Sequence, residues 1–204
     1  MKEAIVYKRN GDINWTQIPV LPIDNLVHVE STDVKAQAQI CYDEENLYLH
    51  FTAWESEIRA EEEGLLGMPC WDSCMEFFFC PEEGDSRYLN FEMNPKGCLH
   101  VGFGDSIETA LKIVINRDDR EANIFAPEIT RFAGGWELNY RIPVSFVRRL
   151  FPKFSLYPGK TIRANFYKCT EKTSAPHFLT WNVITRQGRS IFHTPAEFGL
   201  LRCE

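Results

Sequence analysis

Trp71-Asp72-Ser73-Cys74-Met75-Glu76-Phe77-Phe78-Phe79-Cys80-Pro81 is the stretch whose reading decides the fold. Its second half is an aromatic run closed by a proline, too short for a globular helix and too apolar to be solvated, so Cys74 to Cys80 reads as a buried β-strand. Its first half is polar. Trp71, Asp72 and Ser73 leading into a strand that carries Glu76 put an aromatic face and a carboxylate at the mouth of a hydrophobic scaffold.

Working outward, short strands recur at close spacing. Ala4 to Lys8 and Ile13 to Val20 read as strands; Lys35 to Tyr42 and Leu47 to Trp54 alternate cleanly and form a hairpin around Asp43-Glu44-Glu45-Asn46. Residues 55–70 break the alternation and read as a long excursion of the kind that shapes a binding mouth. Arg87 to Asn94 and Cys98 to Phe103 complete a meander, residues 104–120 carry no period, and Ala122 to Thr130, interrupted by Pro127, and Trp136 to Ile142 follow as strands. The one helix expected is Val144 to Leu150, between Pro143 and Pro152. Thr161 to Cys169, His177 to Asn182, Ser190 to His193 and Phe198 to Cys203 supply the last strands. This pattern predicts one all-β domain over residues 1–204, a two-sheet antiparallel β-sandwich with one short helix.

Composition sets bounds on function. Fifteen Phe, seven Tyr and five Trp in 204 residues predict an aromatic core, and the formal charge of −7 with no Lys/Arg block argues against nucleic acid. No apolar run approaches the roughly 20 residues of a membrane span, and residues 1–15 lack the apolar core of an export signal, so a cytoplasmic protein is expected. Seven cysteines without framework spacing suit reduced thiols; Cys70, Cys74 and Cys80 are too unevenly spaced for a zinc knuckle.

Asp72-Ser73-Cys74-Met75-Glu76-Phe77-Phe78, Tyr88-Leu89-Asn90-Phe91-Glu92 with Asn94-Pro95-Lys96-Gly97, Arg163-Ala164-Asn165-Phe166-Tyr167, and Phe192-His193-Thr194-Pro195 with Phe198-Gly199 follow one another along the chain. In this order they resemble the family 9 carbohydrate-binding modules and the wider DOMON-like β-sandwich group. The resemblance implies a sandwich that holds a small sugar, or the end of a glucan or xylan chain, between two aromatic rings, with structural calcium in some members and association with glycan-processing enzymes. Carried over by position, Trp71 and Phe192 are the stacking rings, although the family places a Trp at the second position, where Phe192 or the nearby Trp181 must substitute.

Sugar recognition needs flat aromatic faces for the pyranose C–H surface and planar polar groups for adjacent hydroxyls. By strand parity Glu76, Asn90, Glu92, Arg163 and Asn165 point away from their apolar neighbours. If their strands adjoin, they form one polar strip framed by Trp71 and Phe192, with His193 beside it. The same strip could be the solvated face that antiparallel sheets present. Glu76 and Glu92 could instead serve as the acid and base of a glycosidase, yet no nucleophile with its base accompanies them, and non-catalytic binding is the reading adopted. A protein-interaction module of the same fold is the third alternative. Haem ligation by one of Met68, Met75 or Met93 with a histidine lacks motivating spacing. Calcium could sit at Asp43-Glu44-Glu45-Asn46 or Asp118-Asp119, where solvated turns explain the residues equally well.

Overall fold

Strand β1 (Glu3–Lys8) joins two sheets. In the computed structural model, which describes residues 1–186 and 191–204, its first part pairs in parallel with β14 (Gly199–Cys203), and Tyr7 and Lys8 pair in parallel with the end of β4 (Lys35–Tyr42). The first sheet runs β10 (Glu128–Phe132), β11 (Gly135–Pro143), β5 (Asn46–Trp54), β4, with β2 (Leu21–Ile23) also on β4. The second runs β14, β12 (Thr161–Thr170), β6 (Cys74–Cys80), β7 (Tyr88–Met93), β8 (Leu99–Gly104), β9 (Leu111–Lys112). β13 (His177–Thr180) continues beside β12 and pairs with β3 (Asn25–Leu26). The β-sandwich is therefore present, and its pairings are antiparallel apart from the two that β1 makes.

The aromatic core expected from composition fills the space between the sheets. Phe77, Phe79, Phe91 and Phe166 face inward from the second sheet and Leu49, Phe51, Trp136 and Tyr140 from the first, all buried. Phe51 meets Phe166 edge-on at 6.0 Å and Phe91 lies 6.5 Å from Tyr140. Each such ring contributes about 1.5–3 kcal/mol by leaving water. Trp136 is core, as parity suggests, whereas Trp54 ends its strand and is 39% exposed.

One charge is buried with them. Lys168 points inward from β12, and its Nζ lies 3.0 Å from Glu55 Oε2 and 3.0 Å from His177 Nε2. Glu55 Oε1 accepts from Trp136 Nε1 at 2.6 Å. The excursion after β5 is thus tied to both sheets by one polar network inside an apolar core.

Several expectations are corrected. Ile13 to Val20 is not a strand: the Asn14 side chain accepts from Thr16 N and starts a 3-10 turn at Trp15–Gln17, whose carbonyl at Trp15 is then taken by Gln39. Residues 122–127 are not extended, because Asn123 and Ala126 adopt left-handed backbone (φ 46° and 43°), and the strand begins at Glu128. A second helix exists, α1 (Arg117–Glu121), capped where Asn116 Oδ1 accepts from Asp119 N. The expected helix is α2 (Val144–Val147), shorter than Val144 to Leu150 because its last turn tightens. Of the strand expected at Ser190 to His193, Ser190 lies outside the described residues, and residues 191–193 are not a strand.

Candidate functional site

The outer face of the second sheet carries the polar strip. Register pairs Glu76 with Glu92 on one side and with Tyr167 on the other; Phe78 stands between Asn90 and Asn165, and Arg163 stands opposite Cys80. Directly opposed residues of paired strands share a face, so the five polar residues expected to converge do lie on one surface.

The structure then divides them. Residues 182–186 and 191–198 lie over half of this face and cover it. Arg163 donates to the carbonyls of Pro195 and Asp85, and Asn165 donates to Asn182 O while its Oδ1 accepts from Asn182 N. Tyr167 donates to Phe192 O at 3.0 Å, and Tyr88 Oη lies 2.6 Å from His193 Nδ1. Arg163 and Asn165 are therefore fasteners of the covering segment, which corrects their assignment as hydroxyl-orienting groups.

The uncovered half is a cavity of about 870 Å³. Glu76 and Glu92 form its floor; Lys112 and His100 lie beside them; Phe178, Phe192, Ile191, Val27, Ile107 and Leu111 make apolar walls, and Glu171, Cys70, Met68, Cys169 and His193 are also among the lining residues. Of the residues expected at a ligand, Glu76, Glu92, Phe192 and His193 line it. Asn90 stands behind, its Nδ2 donating to Glu92 Oε1 at 2.7 Å, and its side chain fits only because Gly102 opposite has no Cβ, which would come 2.2 Å from Asn90 Oδ1.

Trp71, expected as a stacking ring, is not in the wall of this cavity. It ends a 3-10 turn (Pro69–Trp71) whose Cys70 and preceding Met68 face the cavity instead. The chain after β12 clamps this turn, with the amides of Glu171 and Lys172 donating to Cys70 O and Trp71 O, and Lys172 Nζ sits 3.1 Å from the centre of the indole. A cation thus covers one face of the indole. Asp72 is likewise structural: buried, it accepts from the amides of Glu61 and Glu62 and from Asn94 Nδ2, and so shapes the excursion.

Aromatic surface comes from elsewhere. Phe192 stacks on Tyr167 at 4.1 Å with one face spent, and Phe178 lies edge-on to it at 6.1 Å, half-exposed toward the cavity. Sequence reasoning missed Phe178, although the alternation of His177 to Thr180 already separates it from the core residue Leu179. Lys112 had no signal, standing in a stretch without period.

The floor is electrostatically unusual. Glu76 is 2% and Glu92 6% exposed. Glu76 Oε1 accepts only from the Cys169 thiol at 2.9 Å, Glu92 Oε1 only from Asn90, and among the described residues nothing donates to either second oxygen. Burial, reinforced by the neighbouring carboxylate of Glu92, holds Glu76 well above the ordinary carboxylate range, and burial pushes Glu92 up to about 7. His100 and His193 are pushed down to about 4, by burial first and then by Lys112 and His100 respectively, so both are neutral near pH 7.

A stability prediction follows with its sign. Glu92 binds its proton more tightly folded than unfolded, so its contribution to stability is full below the unfolded value near 4.3 and is lost as pH rises toward about 7. Chemical denaturation of Glu92→Gln beside the wild type should show the variant gaining relative stability as pH rises from about 4.5 to 7, with the difference level above; a pH-independent difference would contradict the burial argument.

The acidic turns offered for calcium do not fit that ion. Asp43 is already filled by the amides of Glu45 and Asn46, Arg9 and Tyr48, and Asp119 by Arg149 and Asn116. A cleft of about 760 Å³ beside Trp54 is no rival site, since its charged residues, Asp24, Asp33 and Lys35, are all exposed.

Three kinds of comparison bear on this geometry. A protein of Bacteroides uniformis, provisionally assigned as carbohydrate-binding, is 30% identical and superposes with a TM-score of 0.79 over 100% of this chain and 99% of its own. Two structures of a family 9 module from Caldicellulosiruptor kristjanssonii, in complex with cellotriose and with glucose, share 12% identity and the fold, with TM-scores of 0.71 and 0.69 over 100% of this chain and 94% and 96% of theirs. No curated protein matches the chain. The family model for carbohydrate-binding family 9 matches residues 2–203. The chain belongs to carbohydrate-binding family 9.

Proposed function

We propose that this protein binds a small sugar, or the terminal rings of a glucan- or xylan-type chain, in the cavity on the outer face of the second sheet, and releases it unchanged. The observation that carries this reading is the pair of buried carboxyl groups, Glu76 and Glu92, each presenting at the floor of an apolar-walled cavity an oxygen to which none of the described residues donates. Such oxygens accept from adjacent hydroxyls, and Phe178 with Phe192 covers the C–H face of the ring. Family membership supports binding without catalysis, and the sugars held by the Caldicellulosiruptor modules make glucose and cellotriose the first ligands to test. Few ligand atoms are buried and each displaced water must be replaced, so the dissociation constant falls in the micromolar to millimolar range. Cooperation with glycan-processing enzymes and a reducing, cytoplasmic setting are part of this reading; the latter is supported by seven unpaired cysteines.

The test is calorimetry against a glycan panel with wild type and Trp71→Ala side by side. Because Trp71 lies under Lys172 outside the cavity, its removal should change affinity by no more than about twofold, under 0.5 kcal/mol. Loss of binding on this substitution would move the site to the indole. Chromogenic glycosides should show no turnover with the wild type.

A further inference from the structure

Beneath the cavity floor a second donor set converges. Cys74 on β6 stands directly opposite Cys169 on β12, and Glu76 follows two residues along the same face. The two thiol sulfurs and a carboxylate oxygen of Glu76 all lie within 4.8 Å of one another. All three side chains are more than nine-tenths buried, and Cys169 and Glu76 also line the cavity, so the cluster is reachable from solvent through it.

We infer that Cys74, Cys169 and Glu76 form a binding site for a thiophilic divalent cation of the zinc class, with its fourth coordination position open to the cavity. Two sulfurs and one oxygen are a donor set for borderline-soft ions; a hard ion such as calcium wants six to eight oxygens. Three protein ligands with one open position are the usual arrangement where an ion remains accessible. The present hydrogen bond from Cys169 to Glu76 Oε1 occupies the space an ion would take. On binding, each thiol gives its proton to solvent as its sulfur takes the ion, and Glu76 exchanges the S–H donor for the cation while its other oxygen still faces the cavity. Register brings the set together: Cys80, six residues further along the same strand, is about 20 Å from Cys74 and takes no part, whereas Cys169, ninety-five positions away in the chain, is the cross-strand partner.

The experiment uses the full chain, reduced and freed of metal, titrated anaerobically with cadmium as a spectroscopic stand-in for zinc. The wild type should develop a thiolate-to-cadmium charge-transfer band that saturates at one ion per chain and is displaced by zinc, and zinc should raise the melting temperature. Cys169→Ser should lose the band and the thermal shift, while Cys41→Ala, a buried cysteine remote from the cluster, should keep both. If Cys169→Ser does not fold, Cys74→Ala carries the same expectation with a smaller perturbation. Absence of the band in the wild type, or its survival in both Cys169→Ser and Cys74→Ala, overturns the inference. Glucose or cellotriose binding measured in chelator at the same time separates this outcome from the proposed function: sugar binding without metal binding leaves the function standing and removes only the metal site.

Discussion

Glu76→Ala should weaken sugar binding by about 10- to 100-fold, the largest loss expected from any single side chain in the cavity. Leaving a buried polar group without its hydrogen-bond partner costs about 1–3 kcal/mol, and tenfold in affinity is 1.4 kcal/mol. Among the described residues nothing donates to the second oxygen of Glu76, so none of them competes with a ligand hydroxyl for it. Glu92→Ala should act in the same direction with an added cost, because Asn90, buried and donating to Glu92, would lose its acceptor. Gln at either position retains one acceptor and one donor and should cost less than Ala. Calorimetry of the three variants against one ligand checks the order, and a Glu76→Ala protein that binds as tightly as wild type would remove the carboxylate floor from the account. Affinity in the wild type should also rise with pH through about 7, as Glu92 becomes a charged acceptor.

The largest stability effect should come from Lys168→Met. Lys168 and Glu55 are both essentially inaccessible to water, and removing one member of a buried pair costs about 3–5 kcal/mol because the other charge is left uncompensated. The structure adds a pH signature. His177, whose Nε2 lies 3.8 Å from Glu55, is held down to about 4 by burial and then by the ammonium of Lys168. Without Lys168 the imidazolium can pair with Glu55, which raises the folded His177 above its present value. Relative to the wild type, in which His177 stays neutral down to about 4, a higher folded value offsets part of the loss as pH falls through it, and the offset is absent above it. Denaturation of Lys168→Met should therefore show the full loss at pH 8 and partial recovery toward pH 6, and pairing it with Glu55→Gln should restore much of the stability at pH 8. An equal loss at both pH values would mean that His177 does not take over.

How far the sequence could be read depends on the range of the interaction involved. Alternation in Lys35 to Tyr42, Leu47 to Trp54, Tyr88 to Met93 and Thr161 to Cys169 is local, and it places each side chain on the correct face; from it follow the sandwich, the aromatic core and the common surface of Glu76, Asn90, Glu92, Arg163 and Asn165. What alternation does not contain is the fate of that surface. The covering of Arg163 and Asn165 is decided by residues 182–186 and 191–198, whose carbonyls at Pro195 and Asn182 accept from them across 32 and 17 positions of chain. Trp71 illustrates the same limit at shorter range: within one 3-10 turn a single residue separates a side chain that lines the cavity, Cys70, from one that does not, and no period resolves such a turn. Phe178 lay in plain view in a short strand but could be given a role only once β13 was known to lie against Cys169. Lys112 belongs to a two-residue strand, below the length at which any pattern exists.

The central claim is that the ligand sits on the floor built by β6 and β7, under the edge of the covering segment. A crystal structure of this protein with cellotriose or glucose bound tests it most directly. The account predicts a pyranose ring against Phe178 and Phe192 with hydroxyls in hydrogen-bond contact with the free oxygens of Glu76 and Glu92, and the indole of Trp71 still under Lys172. A sugar stacked on Trp71 with Lys172 displaced, or lodged in the cleft beside Trp54 with the carboxylate pair untouched, would contradict it.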